Sequence, residues 1–305
     1  MGGFSDVSQL LTLHRLSKGA KFMILSAFAF SVMALFVKLV GERGIPVLEI
    51  VAARSVISLV MSYVMLKKEG IPIFGQQKGL LFARGFIGFV TLNCVFYGVT
   101  HLPLAEATVL QYLHPMFTAI LALVFLKERL TQGTLVCVGL SFIGLIIMVQ
   151  PLYLSPSEGT VVDKLAVSAA IIGAMGSAMA YVLVRKLGAI EHPLVIVLYF
   201  PLISLPASTL LLWGDFVMPE GLSWLYLLVI GIATQVGQVA LTKSMQTETA
   251  SRATSFSYLQ IVFAVILGLV FFQDVPNLGT ILGALFIVAG AYFNVVWKSK
   301  PTAAS

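Results

Sequence analysis

Three ionisable side chains lie deep inside apolar stretches of this chain: Arg54, Arg84 and His114. Such a group is costly in hydrocarbon, so it faces a cavity or a partner. Arg54 stands seven residues into its stretch, about 10 Å below the surface at roughly 1.5 Å per residue. A guanidinium stays charged and grips carboxylate or phosphate with two parallel donors. Two readings of Arg54 follow: a gating or structural ion pair with Glu49 or Glu106, or a contact to an anionic substrate. Arg84 either joins the gating set or extends its head group to the membrane surface. No carboxylate lies at comparable depth.

His114 precedes Pro115. A proline has no N–H and frees the carbonyl four residues back, here that of Gln111. Gln111, Tyr112 and His114 therefore set polar groups at a local helix break near the middle of a span. Imidazole titrates at about pH 6.5, so proton coupling through His114 is one expectation. A neutral ring bonded between helices is the other. Gln235 and Gln238 differ by three and share a helix face, where they line a wet cavity or bridge helices. Asn93, Tyr97, Tyr181, Tyr258 and Gln260 are the remaining polar groups expected at a substrate site. Met175 and Met179 add either an apolar wall beside Tyr181 or plain packing.

The elements that hold these residues follow from composition. The chain has 305 residues, 59% apolar and 10% charged, with a mean hydropathy of +0.99. Soluble domains carry about 25% charged residues, so the solvent of this chain is mostly lipid. Ten stretches are long enough to cross a bilayer: 20–40, 47–66, 79–99, 104–126, 131–150, 165–185, 194–213, 222–242, 252–272 and 277–297. The predicted fold class is an all-α integral membrane protein with ten transmembrane helices. No cleavable leader precedes the first span, which is expected to act as an uncleaved signal anchor. Cys94 and Cys137 lie within spans, so neither a disulfide framework nor a metal site is expected, and no cofactor is implied.

The net charge of +6 does not point to nucleic acid, because no basic stretch is interleaved with aromatics. With ten spans the basic residues sort by side. Fourteen, among them Lys67, Lys68, Arg185 and Lys186, fall at one set of ends, and Lys38, Arg43 and Lys164 at the other. That bias places both termini in the cytoplasm.

The chain also repeats itself at an offset of 146 positions. Ala107, Thr108 and Tyr112 match Ala253, Thr254 and Tyr258, and Ile120–Val124 matches Ile266–Val270 with one Ala-to-Gly change. Phe125 matches Phe271, Glu128 falls on Asp274, and Gly144 on Gly290. Five spans per half make the second half enter the membrane inverted. Two inverted five-helix repeats are the architecture that lets a carrier open alternately to each side. The expected division is a cytoplasmic segment 1–19, repeats at 20–150 and 165–297, a linker 151–164 and a cytoplasmic tail 298–305.

The residues Leu102–Ala107, Pro115 and Leu126–Leu130, with Ala250–Ala253 and Gly279–Gly283 in the second half, resemble the drug/metabolite transporter superfamily. The likeness is to its ten-helix EamA-domain members. It implies a central cavity lined by the first, third, fourth, sixth, eighth and ninth helices. It also implies that the fifth and tenth helices can form a dimer contact, with internal packing through Gly279-x-x-x-Gly283 as the alternative. Asp274 stands where the family usually has Glu.

Other classes fit less well. The motifs GxSxG, HExxH and CxxC are absent, and no Asp lies deep in a span, so a membrane enzyme is not expected. No charge ring or carbonyl filter marks a channel. No ATP-binding loop of the GxxxxGK[ST] type occurs, so transport would be secondary. The expected function is alternating-access transport of a small anionic or zwitterionic metabolite, such as an amino acid or organic acid, with export favoured over import. Uptake or exchange of a cofactor-like metabolite such as S-adenosylmethionine is the alternative. The expected setting is the bacterial inner (plasma) membrane, with the small-molecule substrate and lipid as partners and a monomer or homodimer as the assembly.

Overall fold

The computed structural model describes residues 17–101, 110–153, 164–273 and 278–297, and over these the chain is helical. In chain order the helices are α1 (Lys18–Gly41), α2 (Val47–Glu69), α3 (Lys78–His101), α4 (His114–Phe125) and α5 (Gln132–Tyr153). They continue with α6 (Lys164–Leu187), α7 (Pro193–Leu211), α8 (Leu222–Thr247), α9 (Ala250–Phe272) and α10 (Leu278–Val296). Among the described residues eight helices are long and apolar enough to cross a membrane, and His114–Phe125 and Gln132–Ile147 are shorter apolar pieces. Glu106, Asp274, the Leu102–Ala107 motif and most of the linker and termini lie outside the described residues.

Local chemistry sets the helix ends. Ser17 caps α1 by accepting the Ala20 N–H at 3.1 Å. Pro46 precedes α2, and Gly70 ends it in the left-handed conformation at φ 67°. His192 caps α7 through its ring nitrogen, with Pro193 at the first helical position. Lys127 and Gln273 are non-glycine residues with φ of 54° and 55°. They stand 146 positions apart, the offset of the sequence repeat.

Large apolar side chains are exposed around the bundle: Leu210 is 71% accessible, Val270 66% and Val124 62%. This surface is built for lipid. The interior is lined instead by small residues and hydroxyls, including Ala170, Gly173, Ala174 and Ala178 on α6. Such residues let helix backbones approach closely. Gly173 leaves room for Val95 of α3, and Gly237 of α8 for Phe30 of α1.

Helix pairing is symmetric between the halves. α1 packs on α8 and α9, and α6 packs on α3 and α4. α2 meets α7, α5 meets α10, and the pair α2–α8 mirrors α7–α3. At the α5–α10 seam, Gly144 faces the Gly283 carbonyl and Gly290 faces that of Cys137. Gly283 thus packs inside the chain. A Cβ at Gly144 would stand 2.5 Å from the Gly283 oxygen, whereas one at Gly139 would meet open space. Gly144→Val is therefore expected to cost about 1–3 kcal/mol by overpacking. A melt of the purified protein in detergent checks this: Gly144→Val should melt several degrees lower, with Gly139→Val near wild type.

Candidate functional site

A turn just before α4 and a break within α9 stand at repeat-related positions. The chain turns at Tyr112–Leu113 before α4, and α9 contains a 3-10 turn at Phe256–Tyr258. Pro115 explains the first break. The Gln111 carbonyl that it leaves without a helical donor lies 3.1 Å from His114 Nδ1. The second break has no proline. There Thr254, Ser255 and Ser257 turn their hydroxyls back onto the carbonyls of Ala250, Arg252 and Thr254. Hydroxyls that compete for helix carbonyls loosen the turn.

The two breaks meet. The Tyr112 and Tyr258 rings stack at 6.1 Å, and the Tyr258 hydroxyl donates to the Tyr112 carbonyl at 3.1 Å. His114 lies 5.8 Å from the Tyr112 ring and 5.4 Å, edge-on, from the Tyr181 ring. Its Nε2 is 3.3 Å from Ser257 Oγ, which donates to the Thr254 carbonyl at 2.6 Å. A carbonyl only accepts, so the hydrogen bond to Gln111 requires a proton on Nδ1. A second proton on Nε2 satisfies the whole chain from Gln111 through Ser257 to Thr254. With a neutral ring, the single Ser257 proton serves either Thr254 or His114.

A second cluster begins on α3, the helix against which α6, the helix of Tyr181, packs. Arg54 of α2 and Arg84 of α3 are 6% and 4% exposed. Both guanidiniums lie over the ring of Phe200 of α7, at 5.1 and 5.6 Å. Arg84 Nη2 donates to Gln238 Oε1 of α8 at 3.1 Å. Arg54 Nη1 has the Met33 thioether of α1 at 3.9 Å. Both Nε atoms are buried without a hydrogen-bond partner. Gly88 makes the space: a Cβ there would stand 2.8 Å from Arg84 Nη1 and 3.0 Å from Phe200.

These contacts correct two expectations, the Arg54–Glu49 pair and the surface reach of Arg84, and locate the other expected residues. Arg54 does not pair with Glu49, because five residues along a helix point the two side chains about 140° apart. Glu49 accepts the Val217 N–H at 2.9 Å instead. Arg84 does not reach the membrane surface; it is buried against Phe200 and Gln238. Gln235 and Gln238 share a face but not a partner, since Gln235 donates to Ser62 Oγ at 2.8 Å. Asn93 is bonded to the Phe89 carbonyl of its own helix. Tyr97 packs beside Ala166 and Ala170, and Gln260 is half-buried, with its backbone carbonyl taking the Ser31 hydroxyl. Met175 is 47% exposed.

Residues given no site role from sequence close the basic end of the bundle. Glu128 follows the left-handed Lys127 and pairs with Arg185 at 2.8 Å, its other oxygen accepting the Ala250 N–H at the start of α9. Arg185 also donates to the carbonyls of Met245 and Gln246. Glu191 accepts the Gln77 N–H at 2.6 Å. Phe200 reads in sequence as one more apolar residue. A cue for Glu128 was the resemblance motif that contains it.

A lipid-facing bundle with interrupted helices around a buried polar centre defines a multi-pass membrane carrier. The chain belongs to the EamA-like transporter family, whose model matches residues 17–150 and 164–296. It is therefore a membrane transporter and not an enzyme. It is 33% identical to the pseudopaline exporter CntI of Pseudomonas aeruginosa over 280 residues, covering 91% of this chain and 96% of that one. It is 32% identical to solute carrier family 35 member G1 of Mus musculus over 281 residues, covering 88% and 76%. The riboflavin transporter of Vibrio cholerae is 26% identical over 292 residues, covering 94% and 96%. A solved crystal structure shares the fold at a TM-score of 0.75 and 18% identity, covering 88% of this chain and 95% of that one.

Proposed function

We propose that the chain is a secondary carrier, not driven by ATP, that exports a small anionic or zwitterionic metabolite such as an amino acid or organic acid. The observation that carries this is the convergence of Arg54 and Arg84 on Phe200, buried and without a carboxylate partner among the described residues. A buried charge left unpaired costs several kcal/mol, so an anion is the ligand that this centre selects. The similarity to the pseudopaline exporter over nearly the whole length supports export.

The halves 20–150 and 165–297, joined by 151–164, act as inverted repeats that rock about this centre. Symmetric helix pairing, paired breaks beside Tyr112 and Tyr258, and paired left-handed residues at Lys127 and Gln273 all support that reading. The basic end faces the cytoplasm of a plasma membrane, with both termini on that side. Tyr112, His114, Tyr181 and Tyr258 line the site beside the two arginines, and Gln111 positions the imidazole. His114 couples transport to protons, because its hydrogen-bond chain is complete only with two ring protons. The protein works as a monomer or homodimer.

The test is transport in proteoliposomes, with the substrate found by thermal-shift screening against amino acids, organic acids and nucleotides. Arg54→Gln and His114→Ala are expected to cut the rate at least about tenfold. Wild-type rates in both variants for every bound compound would refute the site. Repeating the assay across pH in wild type and His114→Ala tests the coupling.

A further inference from the structure

We infer that the transported anion carries two separate carboxylates, one held by Arg54 and one by Arg84, with its carbon skeleton on the face of Phe200. This rests on the proposed anion site and narrows its substrate class to dicarboxylates. The two guanidiniums come from different helices, α2 and α3, and have different second partners, Met33 and Gln238. They do not form one fork. Each keeps an unpartnered buried Nε, so each can still donate to a carboxylate oxygen.

Among the described residues, the ring that both guanidiniums lie over is that of Phe200. A ring quadrupole attracts each cation by about 0.5–2 kcal/mol, which offsets only part of the cost of burial and of their mutual repulsion. A monoanion neutralises one guanidinium and leaves the other. A zwitterion brings a third positive charge into the same space. Among the described residues, Glu128 is held by Arg185 and Glu191 by Gln77, and Glu49 takes the Val217 N–H with one oxygen while its other oxygen has no partner. Glu49 stands about 140° around α2 from Arg54, so it does not receive an ammonium held beside that guanidinium. A dianion balances both cations, and the exposed CH2 groups between its carboxylates suit the ring face.

The experiment uses the purified full chain and α,ω-dicarboxylates of four to eight carbons. Each is compared with its monomethyl ester and with the ω-amino acid of equal length. Binding is read by titration calorimetry and by thermal shift. At least one diacid should bind about tenfold or more tighter than its half-ester, and the ω-amino acid should not bind measurably. In Arg54→Gln the diacid should fall to the level of the half-ester, as it should in Arg84→Gln, each variant being confirmed folded by its melt and elution profile. Monocarboxylates or amino acids binding as tightly as diacids, with both lost in the variants, would overturn the dicarboxylate inference and leave the anion site standing. Methyl phosphate outcompeting every diacid would overturn it in favour of one phosphate. Binding of some other compound that neither variant alters would defeat the anion site itself.

Discussion

Arg84→Lys is expected to slow transport at least about tenfold although the charge is retained, equivalent to about 1.4 kcal/mol of lost transition-state stabilisation. The reason is geometric. One planar guanidinium donates sideways to Gln238 at 3.1 Å and lies over Phe200 at 5.6 Å. An ammonium is a compact, strongly hydrated point charge that cannot reproduce that stacked fork. Gly88 was left without a side chain at the place where Arg84 and Phe200 come together, so the pocket is cut to guanidinium shape. The shorter reach of lysine leaves Gln238 Oε1 without its donor in a buried setting, which costs about 1–3 kcal/mol. Initial rates in proteoliposomes decide the matter, with Arg129→Lys, at an exposed position, as the control. Wild-type rates for Arg84→Lys would mean that the site uses only charge. Gln238→Leu should lower the rate in the same direction, because it removes the neutral group that fixes the guanidinium plane.

The parts of this protein legible in sequence are those set by one-dimensional rules. Hydropathy and length place the helices because lipid demands unbroken apolar runs. The stretch 222–242, for example, lies within Leu222–Thr247. Pro115 announces its helix break, and the Gln111 carbonyl that it frees does take a side-chain partner. The matching break in α9 was not legible, because Thr254, Ser255 and Ser257 disrupt a helix only when their hydroxyls turn inward. Arg54 is buried, in keeping with its place inside an apolar stretch, but its neighbours were not legible. Helix phase separates Glu49 from Arg54, and only tertiary packing brings Phe200 between two arginines. Sequence likewise grouped Gln235 with Gln238 by face, while their bonds run to Ser62 on α2 and Arg84 on α3. Pairwise geometry across helices of distant sequence is the information that periodicity lacks.

Glu128→Gln is expected to loosen the basic end of the bundle, with a stability loss of about 2–3 kcal/mol. The carboxylate joins three elements. It pairs with Arg185 of α6, accepts the first backbone N–H of α9, and leaves the end of α4 through the left-handed Lys127. Arg185 extends the tie to the last carbonyls of α8. An amide of the same size keeps the shape but removes the charge that complements both the guanidinium and the positive end of α9. The Glu128 side chain is 11% exposed and that of Arg185 29%, so solvent screening trims the effect below that of a fully buried pair. A nearby comparison calibrates it. Arg252–Glu248 is a looser pair, 3.7 Å apart across the extended backbone at Glu248 between α8 and α9, so Glu248→Gln should lower the melt less than Glu128→Gln. In the alternating-access reading this end must open once per cycle, so a broken tie shifts the resting population toward the cytoplasm-open form. The readout is a cysteine introduced at the fully buried Ala253 in a background lacking Cys94 and Cys137. Labelling by an impermeant maleimide from the cytoplasmic side should be at least about tenfold faster in Glu128→Gln, a shift of about 1.4 kcal/mol. Unchanged labelling together with an unchanged melt would show that Glu128 neither holds this end shut nor stabilises the fold. A lower melt with unchanged labelling would make it a structural brace rather than a latch.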